Sequence, residues 1–362
     1  MAAKSGSAAG RKAGKQKTAS SRRAASARAG KAKAAKSPAR KRSTAKKPSP
    51  VASAGARFHI LVCIDESSES ERALNYAVRI GSGTDADMTL LYVRPVDQGL
   101  RSGGLEISVA RENLLEWGLE LPGTKALNNA RDTLVELGYL SSDWEQEYKH
   151  GDVQGDPLGD NLVSYHSDEG RHITLKLLVS PTVERGILDQ CEMETYDIVI
   201  VAMSDDPEGW GPGQIGRVAA ETVAVEHHGT VLVARELEES HGHLVCVWDN
   251  EQSIMAARRD AEIASRCACP VFLYSVAADE NELPQAEAAV ANAEKAIRQV
   301  GIRVSGKKIE IGDPVEKIIE EGRQYSVIVM SSTARTGLRR FFTSSTSFQV
   351  LQRARNSVMI AR

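Results

Sequence analysis

His59-Ile-Leu-Val-Cys-Ile-Asp65 and His243-Leu-Val-Cys-Val-Trp-Asp249 are two versions of one phrase, an unbroken apolar run between a histidine and an aspartate. Such a run, followed by a polar stretch with helical spacing, is the profile of a strand buried on both faces that feeds a helix. The helices are predicted at about 69–82 and 251–267. Second strands follow at Met88 to Val93 and Val271 to Val276. A third strand with a helix start comes at His172 to Val179 with Ser180-Pro-Thr-Val-Glu184, and again at Ile302 to Ile311 with Gly312-Asp-Pro-Val-Glu316. Fourth strands, each after a tyrosine, are Tyr196-Asp-Ile-Val-Ile-Val201 and Tyr325-Ser-Val-Ile-Val-Met330. The last are Thr230-Val-Leu-Val-Ala-Arg235 and Ser357-Val-Met-Ile-Ala-Arg362. Strands alternating with helices build βαβ units and parallel sheets, so the fold class is α/β, Rossmann-like. Matched elements in the same order mean an internal duplication.

Working outward, the domains are expected at 58–236 and 243–362, the first enlarged by an insertion at about 100–171. Within it, residues 139–171 hold eight acids against two strong bases and show no clear periodicity, which points to a disordered or functional segment. Residues 1–57 hold 17 Lys or Arg and no acid, so the formal net charge of −2 divides into a strongly basic tail and a body at −19 (29 bases against 48 acids). The tail has too little apolar surface to offset the entropy of ordering and is expected to be disordered. Its clusters, Arg22-Arg23, Arg40-Lys41-Arg42 and Lys46-Lys47, would draw DNA or RNA without sequence preference through counterion release; a solubilising tail and a cleaved transit segment are the other readings. Apolar runs such as Ile198 to Met203 and Val327 to Met330 are far too short to span a bilayer, and no secretory apolar segment appears, so a cytoplasmic location away from membranes is expected. The five cysteines, Cys63, Cys191, Cys246, Cys267 and Cys269, lack CxxC spacing and are read as reduced thiols, with no metal. His227-His228 and His241-x-His243 are read as surface residues.

The motif Asp65-x-Ser67-x-x-Ser70-x-x-Ala73-Leu74, the Gly312-Asp-Pro-x-Glu316 helix start and the closing Met330-to-Val358 segment together resemble the universal stress protein family in its tandem form. The resemblance covers nearly all of residues 58–362 except the insertion. It implies two doubly wound, parallel five-stranded sheets of order 3-2-1-4-5, with ligands bound beyond the strand C-termini at the switch point. It also implies that the two domains pair within the chain as subunits of a family dimer would, association of two chains being a further assembly.

ATP-binding members of that family resemble one another in a Gly-x2-Gly-x9-Gly-Ser/Thr loop after the fourth strand. Glycines there let the backbone approach phosphate, and the hydroxyl opens a helix whose free N–H groups attract anions. In the second repeat these positions fall on Ser331, Ala334, Ser344 and Ser345, so only the hydroxyl is kept. Arg339, between Arg335 and Arg340, adds positive charge for weak anion binding. In the first repeat Gly211-x-Gly213-x-x-Gly216 follows Asp205, Asp206 and Glu208, acids that repel phosphate, and reads as a flexible glycine loop. The resemblance places Asp65 and Asp249 at the nucleoside, with Val93 and Val276 lining the same crevice; either aspartate can equally cap the helix that follows it. No nucleophile elbow, Walker lysine or Ser/His/Asp motif is present. The expected function is a non-enzymatic stress-response or regulatory protein without tight ATP binding or another cofactor. The alternatives are an ATP-binding member and a nucleic-acid-associated protein acting through its basic tail.

Overall fold

Each βαβ unit of the duplication is built from apolar runs too short for helices and rich in β-branched residues, which close into strands buried on both faces. The computed structural model describes residues 57–82, 86–96, 123–153, 156–203, 213–235, 242–332 and 345–362. The first half contains β1 (Phe58–Cys63), α1 (Ser68–Ser82), β2 (Ala86–Pro95), α2 (Thr124–Glu136), β3 (Glu145–Val153), β4 (Asp156–His166), β5 (His172–Ser180), α3 (Val183–Met193), β6 (Ile198–Ala202), α4 (Arg217–Glu226) and β7 (Val231–Ala234). The second contains β8 (His243–Cys246), α5 (Glu251–Arg266), β9 (Val271–Ala277), α6 (Leu283–Gln299), β10 (Val304–Ile311), α7 (Pro314–Gly322), β11 (Val327–Ser331), α8 (Thr346–Arg353) and β12 (Ser357–Ala361). Alternate residues of one strand enter opposite layers: Ile60 and Val62 face one helix layer, Leu61 and Cys63 the other. Helix starts are capped by side chains: Thr182, Asn250, Asp313 and Ser345 each accept a hydrogen bond from the backbone N–H three residues on.

All the described strands lie in one twelve-stranded sheet, in the order β10-β9-β8-β11-β12-β7-β6-β1-β2-β5-β4-β3. Counting the parallel strands of each half by appearance gives 3-2-1-4-5 twice, the expected order. The two sheets meet edge to edge where β7 and β12 pair antiparallel. That junction is twofold. Leu232 faces Met359, its own counterpart, while Val231 faces Ile360 and Val233 faces Val358. The Arg235 guanidinium donates to the Leu351 carbonyl (2.5 Å), and that of Arg362 to the Ala224 carbonyl (2.6 Å), the counterpart of Leu351. Both arginines sit where the partly negative C-terminus of a helix from the other half favours a cation. The Arg235 and Arg362 N–H groups likewise donate to Ser357 Oγ and Thr230 Oγ1. The two domains therefore pair inside one chain, as expected.

One expectation fails. Residues 139–171 do not lack structure: β3 and β4 form an antiparallel hairpin that extends the sheet beyond β5. Composition concealed this because β3 is solvated, its polar side chains exposed and its register carried by backbone bonds. Two carboxylates anchor the hairpin. Asp156, 6% exposed, takes two bonds from Arg94 on β2 (2.7 and 2.5 Å), and Asp160 accepts from the Val179 N–H (2.7 Å). Residues 97–122 and the basic segment 1–56, with Arg22, Arg23, Arg40, Lys41, Arg42, Lys46 and Lys47, lie outside the described residues. No helix among the described residues is long and apolar enough to cross a membrane.

Candidate ligand crevices at the strand ends

In a doubly wound sheet the loops after the first and fourth strands leave toward opposite faces and open a crevice between them. In the first half these loops follow β1 and β6, and Asp65 stands at the C-terminal end of β1. Its carboxylate is engaged on both oxygens. Oδ1 accepts from Ser67 N (2.9 Å), from Ser67 Oγ and from Ser70 Oγ (2.6 Å), while Oδ2 accepts from Ile215 N (2.7 Å). A carboxylate has about two lone-pair sites on each oxygen, so Oδ1 is saturated by these donors while Oδ2 keeps one site beside the Ile215 N–H. Asp65 thus serves the start of α1 and at the same time pins the loop leading into α4. Val93, 2% exposed, lies under α3, where a Cβ on Gly186 would come 2.5 Å from Val93 Cγ1. It is buried beneath that helix by the helix's close approach.

Tyr92, the neighbour of Val93 on the opposite face of β2, is the residue the sequence reading missed. Its ring is 1% exposed and lies between two glycines in the left-handed region, Gly123 (φ 89°) and Gly213 (φ 89°). A Cβ on Gly123 would fall 2.4 Å from Tyr92 Cδ1, and one on Gly213 2.4 Å from the phenol oxygen. Gly213, where the described part of the glycine loop begins, therefore lies directly against an aromatic ring. Burial, with the charges of Glu66 and Asp65, pushes the phenol pKa up to about 12. Beside it lies a groove of about 290 Å³ between α1 and α2, lined by Asp65, Glu66, Glu71 and Lys125 among others. Three carboxylates against one ammonium oppose a phosphate there. Gly209, Gly211, Asp205, Asp206 and Glu208 lie outside the described residues.

The second half is built differently at the matching place. Ile60 pairs with Ile198 and His243 with Val327, which makes Ile60 the counterpart of His243 and Trp248 that of Asp65. The hydrogen bonds agree: Trp248 N donates to Ser253 Oγ (2.9 Å) as Asp65 N donates to Ser70 Oγ (2.7 Å). Asp249 is one residue beyond, exposed, with only a 3.5 Å contact from Asn292 Nδ2. Capping of α5 falls to Asn250, whose Oδ1 accepts from Ser253 N (2.8 Å). Val276, 5% exposed, packs in one layer with Val315 and Ile318. Ser331 is buried, its carbonyl accepting from Ser347 Oγ (2.7 Å), and Ser345 caps α8 by accepting from Phe348 N (3.2 Å). Ala334, Arg339 and Ser344, with Arg335 and Arg340, lie outside the described residues. The structure thus brings Ser331 and Ser345 together through α8 and leaves Asp249 apart.

The histidine reading also needs correction. His243 is 3% exposed, its Nδ1 2.7 Å from the buried Asp260 carboxylate, because it opens a central strand. His227 is half-buried, and burial with the charge of Arg362 holds its imidazole down to about 4; His228 is exposed.

A family model described as the universal stress protein family matches residues 57–224 and again 229–362. Among solved structures the chain is similar to a universal stress protein from Archaeoglobus fulgidus DSM 4304, at 16% identity over 84% of this chain and 98% of that one, with a TM-score of 0.55. It is also similar to a protein described as a putative universal stress protein from Pseudomonas aeruginosa UCBPP-PA14, at 16% identity, covering 84% and 93%, with a TM-score of 0.49. A single-domain universal stress protein from Archaeoglobus fulgidus, solved in complex with dAMP, aligns at 18% identity over 34% of this chain and 98% of that one, with a TM-score of 0.28. No curated protein matches the chain.

Proposed function

This chain belongs to the universal stress protein family, with a domain of the family in each half, and from that premise we propose that it acts as a non-enzymatic stress-response or regulatory protein without tightly bound ATP. The reading rests above all on the first crevice, where both oxygens of the Asp65 carboxylate are engaged by donors of its own chain, three on Oδ1 and the Ile215 N–H on Oδ2. Tyr92 is held between Gly123 and Gly213, so a ligand reaching beneath the loop at Ile215 has to displace a buried aromatic ring, a cost set against binding. The second crevice has Trp248 in place of the aspartate and, in the loop after β11, Ser331, Ala334 and Ser344 in place of the glycines. Weak anion binding at Ser345 and Arg339 remains compatible with this reading. Catalysis of phosphoryl transfer would need cations around the transferred group, whereas the described groove carries Asp65, Glu66 and Glu71 against Lys125. The function lies instead in the paired domains as a unit. Nucleotide extracted by heat from the freshly purified full chain tests the proposal: none is expected, and a stoichiometric adenine nucleotide, or ATP turnover lost on substituting Asp65, overturns it.

A further inference from the structure

We propose that His243, Cys267 and Cys269 form a zinc site at the junction between the two halves, with Asp260 orienting the imidazole. The donor atoms of the three residues all lie within 4.8 Å of one another. They surround a small cavity of about 10 Å³, which is also lined by Tyr76, Arg79 and Ile80 of α1. The residues converge from three places: His243 opens β8, Cys267 ends α5, and Cys269 begins the turn into β9. Ala268 between the cysteines is the only described non-glycine residue with a positive φ, 52°. That left-handed step ends the helix and returns the Cys269 N–H to the Ala264 carbonyl (2.9 Å), which puts both thiols on the side of His243.

The chemistry of the cluster matches a metal and not a core. By the strand register, the first half has Ile60, Ala77 and Ala86 where the second has His243, Asp260 and Cys269. A packing role is thus met by apolar residues at these three positions in the same fold. Burying an imidazole and a carboxylate costs stability unless every polar atom is used. Asp260 is fully buried and its Oδ2 has no hydrogen-bond partner. Its Oδ1 holds His243 Nδ1 at 2.7 Å, which leaves Nε2 as the ring nitrogen for a metal, the carboxylate–histidine arrangement that commonly backs a zinc ligand. Two thiolates and an imidazole form a borderline-soft set suited to tetrahedral Zn²⁺, and soft ligands of this kind disfavour Mg²⁺ or Ca²⁺. Zinc–sulfur bonds of about 2.3 Å require S···S separations near 3.8 Å, a contraction within the reach of cysteine side-chain rotation. The fourth position falls to a water molecule. On binding, Zn²⁺ displaces one proton from each thiol and takes the imidazole as the neutral ring, so the ion and its thiolates are together neutral.

Metal analysis of the full chain tests the site after growth with zinc and dialysis against metal-free buffer. About one zinc per chain is expected, falling below about a tenth in Cys267→Ser and in Cys269→Ser. Asp260→Asn should retain the metal with affinity lowered about 10–100-fold. Replacement by Co²⁺ in the unaltered protein should give thiolate-to-cobalt charge-transfer absorption, a readout that does not depend on the folding of any variant. The exposed pair His166 and His172, whose Nδ1 atoms are 2.8 Å apart, is the competing site, so a double His→Gln change there should leave the zinc in place. The proposal is overturned by a wild-type protein without zinc and without the cobalt spectrum. It is equally overturned by a Cys267–Cys269 disulfide seen in the native mass, or by zinc that follows His166 and His172.

Discussion

Two glycines of the first crevice differ in what they must do, which makes the closure testable residue by residue. Gly213 has φ 89° and its Cβ would sit 2.4 Å from the Tyr92 oxygen, whereas Gly216 has φ −70° and open space around it. Gly213→Ala should therefore destabilise the protein by more than about 2 kcal/mol in denaturant unfolding, and Gly216→Ala by less than about 1. Equal effects would mean that the ring does not close the crevice. A second residue sets a pH dependence. His227 has a folded pKa of about 4 against an ordinary 6.5, so the unfolded chain binds its proton first. Its contribution is intact above pH 6.5 and is lost as the pH falls toward 4, by up to about 3 kcal/mol. His227→Gln should flatten that part of the stability profile, and an unchanged slope would assign the dependence to other groups. The capping role of Asp65 was legible in the sequence from Ser67 and Ser70. The role of Tyr92 was not, because its partners Gly123 and Gly213 are distant in sequence and meet it only through the sheet. Asp249 was misregistered by one residue, since an aspartate seen in sequence drew the alignment away from the strand ladder that sets it.

At the level of elements, the parallel strands and their helices were readable because strands buried on both faces leave continuous apolar runs. The hairpin of β3 and β4 escaped because a solvated antiparallel pair need not alternate apolar and polar residues. Its attachment depends on polar contacts made far away in sequence, above all Arg94 with Asp156. With both side chains buried, Asp156→Ala leaves the guanidinium without its carboxylate and should cost about 3–5 kcal/mol. Hydrogen exchange should then show faster opening of 145–166 with β1 and β6 still protected. Uniform acceleration across all strands would instead make the hairpin part of one cooperative core.

For the whole molecule, duplication was legible as five matched elements, and the manner of joining was not, since nothing local marks β7 and β12 as partners. The antiparallel ladder through Leu232 and Met359, with Arg235 and Arg362 each reaching into the other half, makes one sheet from two domains. Each half thereby acts as the other's subunit, while its crevice diverges: Asp65 and Tyr92 in one, Trp248 in the other. On the reading proposed above, such a protein works without tightly bound ATP. Calorimetric titration of the full chain with ATP tests that account most directly. No saturable heat, or a single site weaker than about 1 mM that Asp65→Ala leaves unchanged, is the result predicted. Two sites of micromolar affinity, or one that Asp65→Ala abolishes, would contradict it.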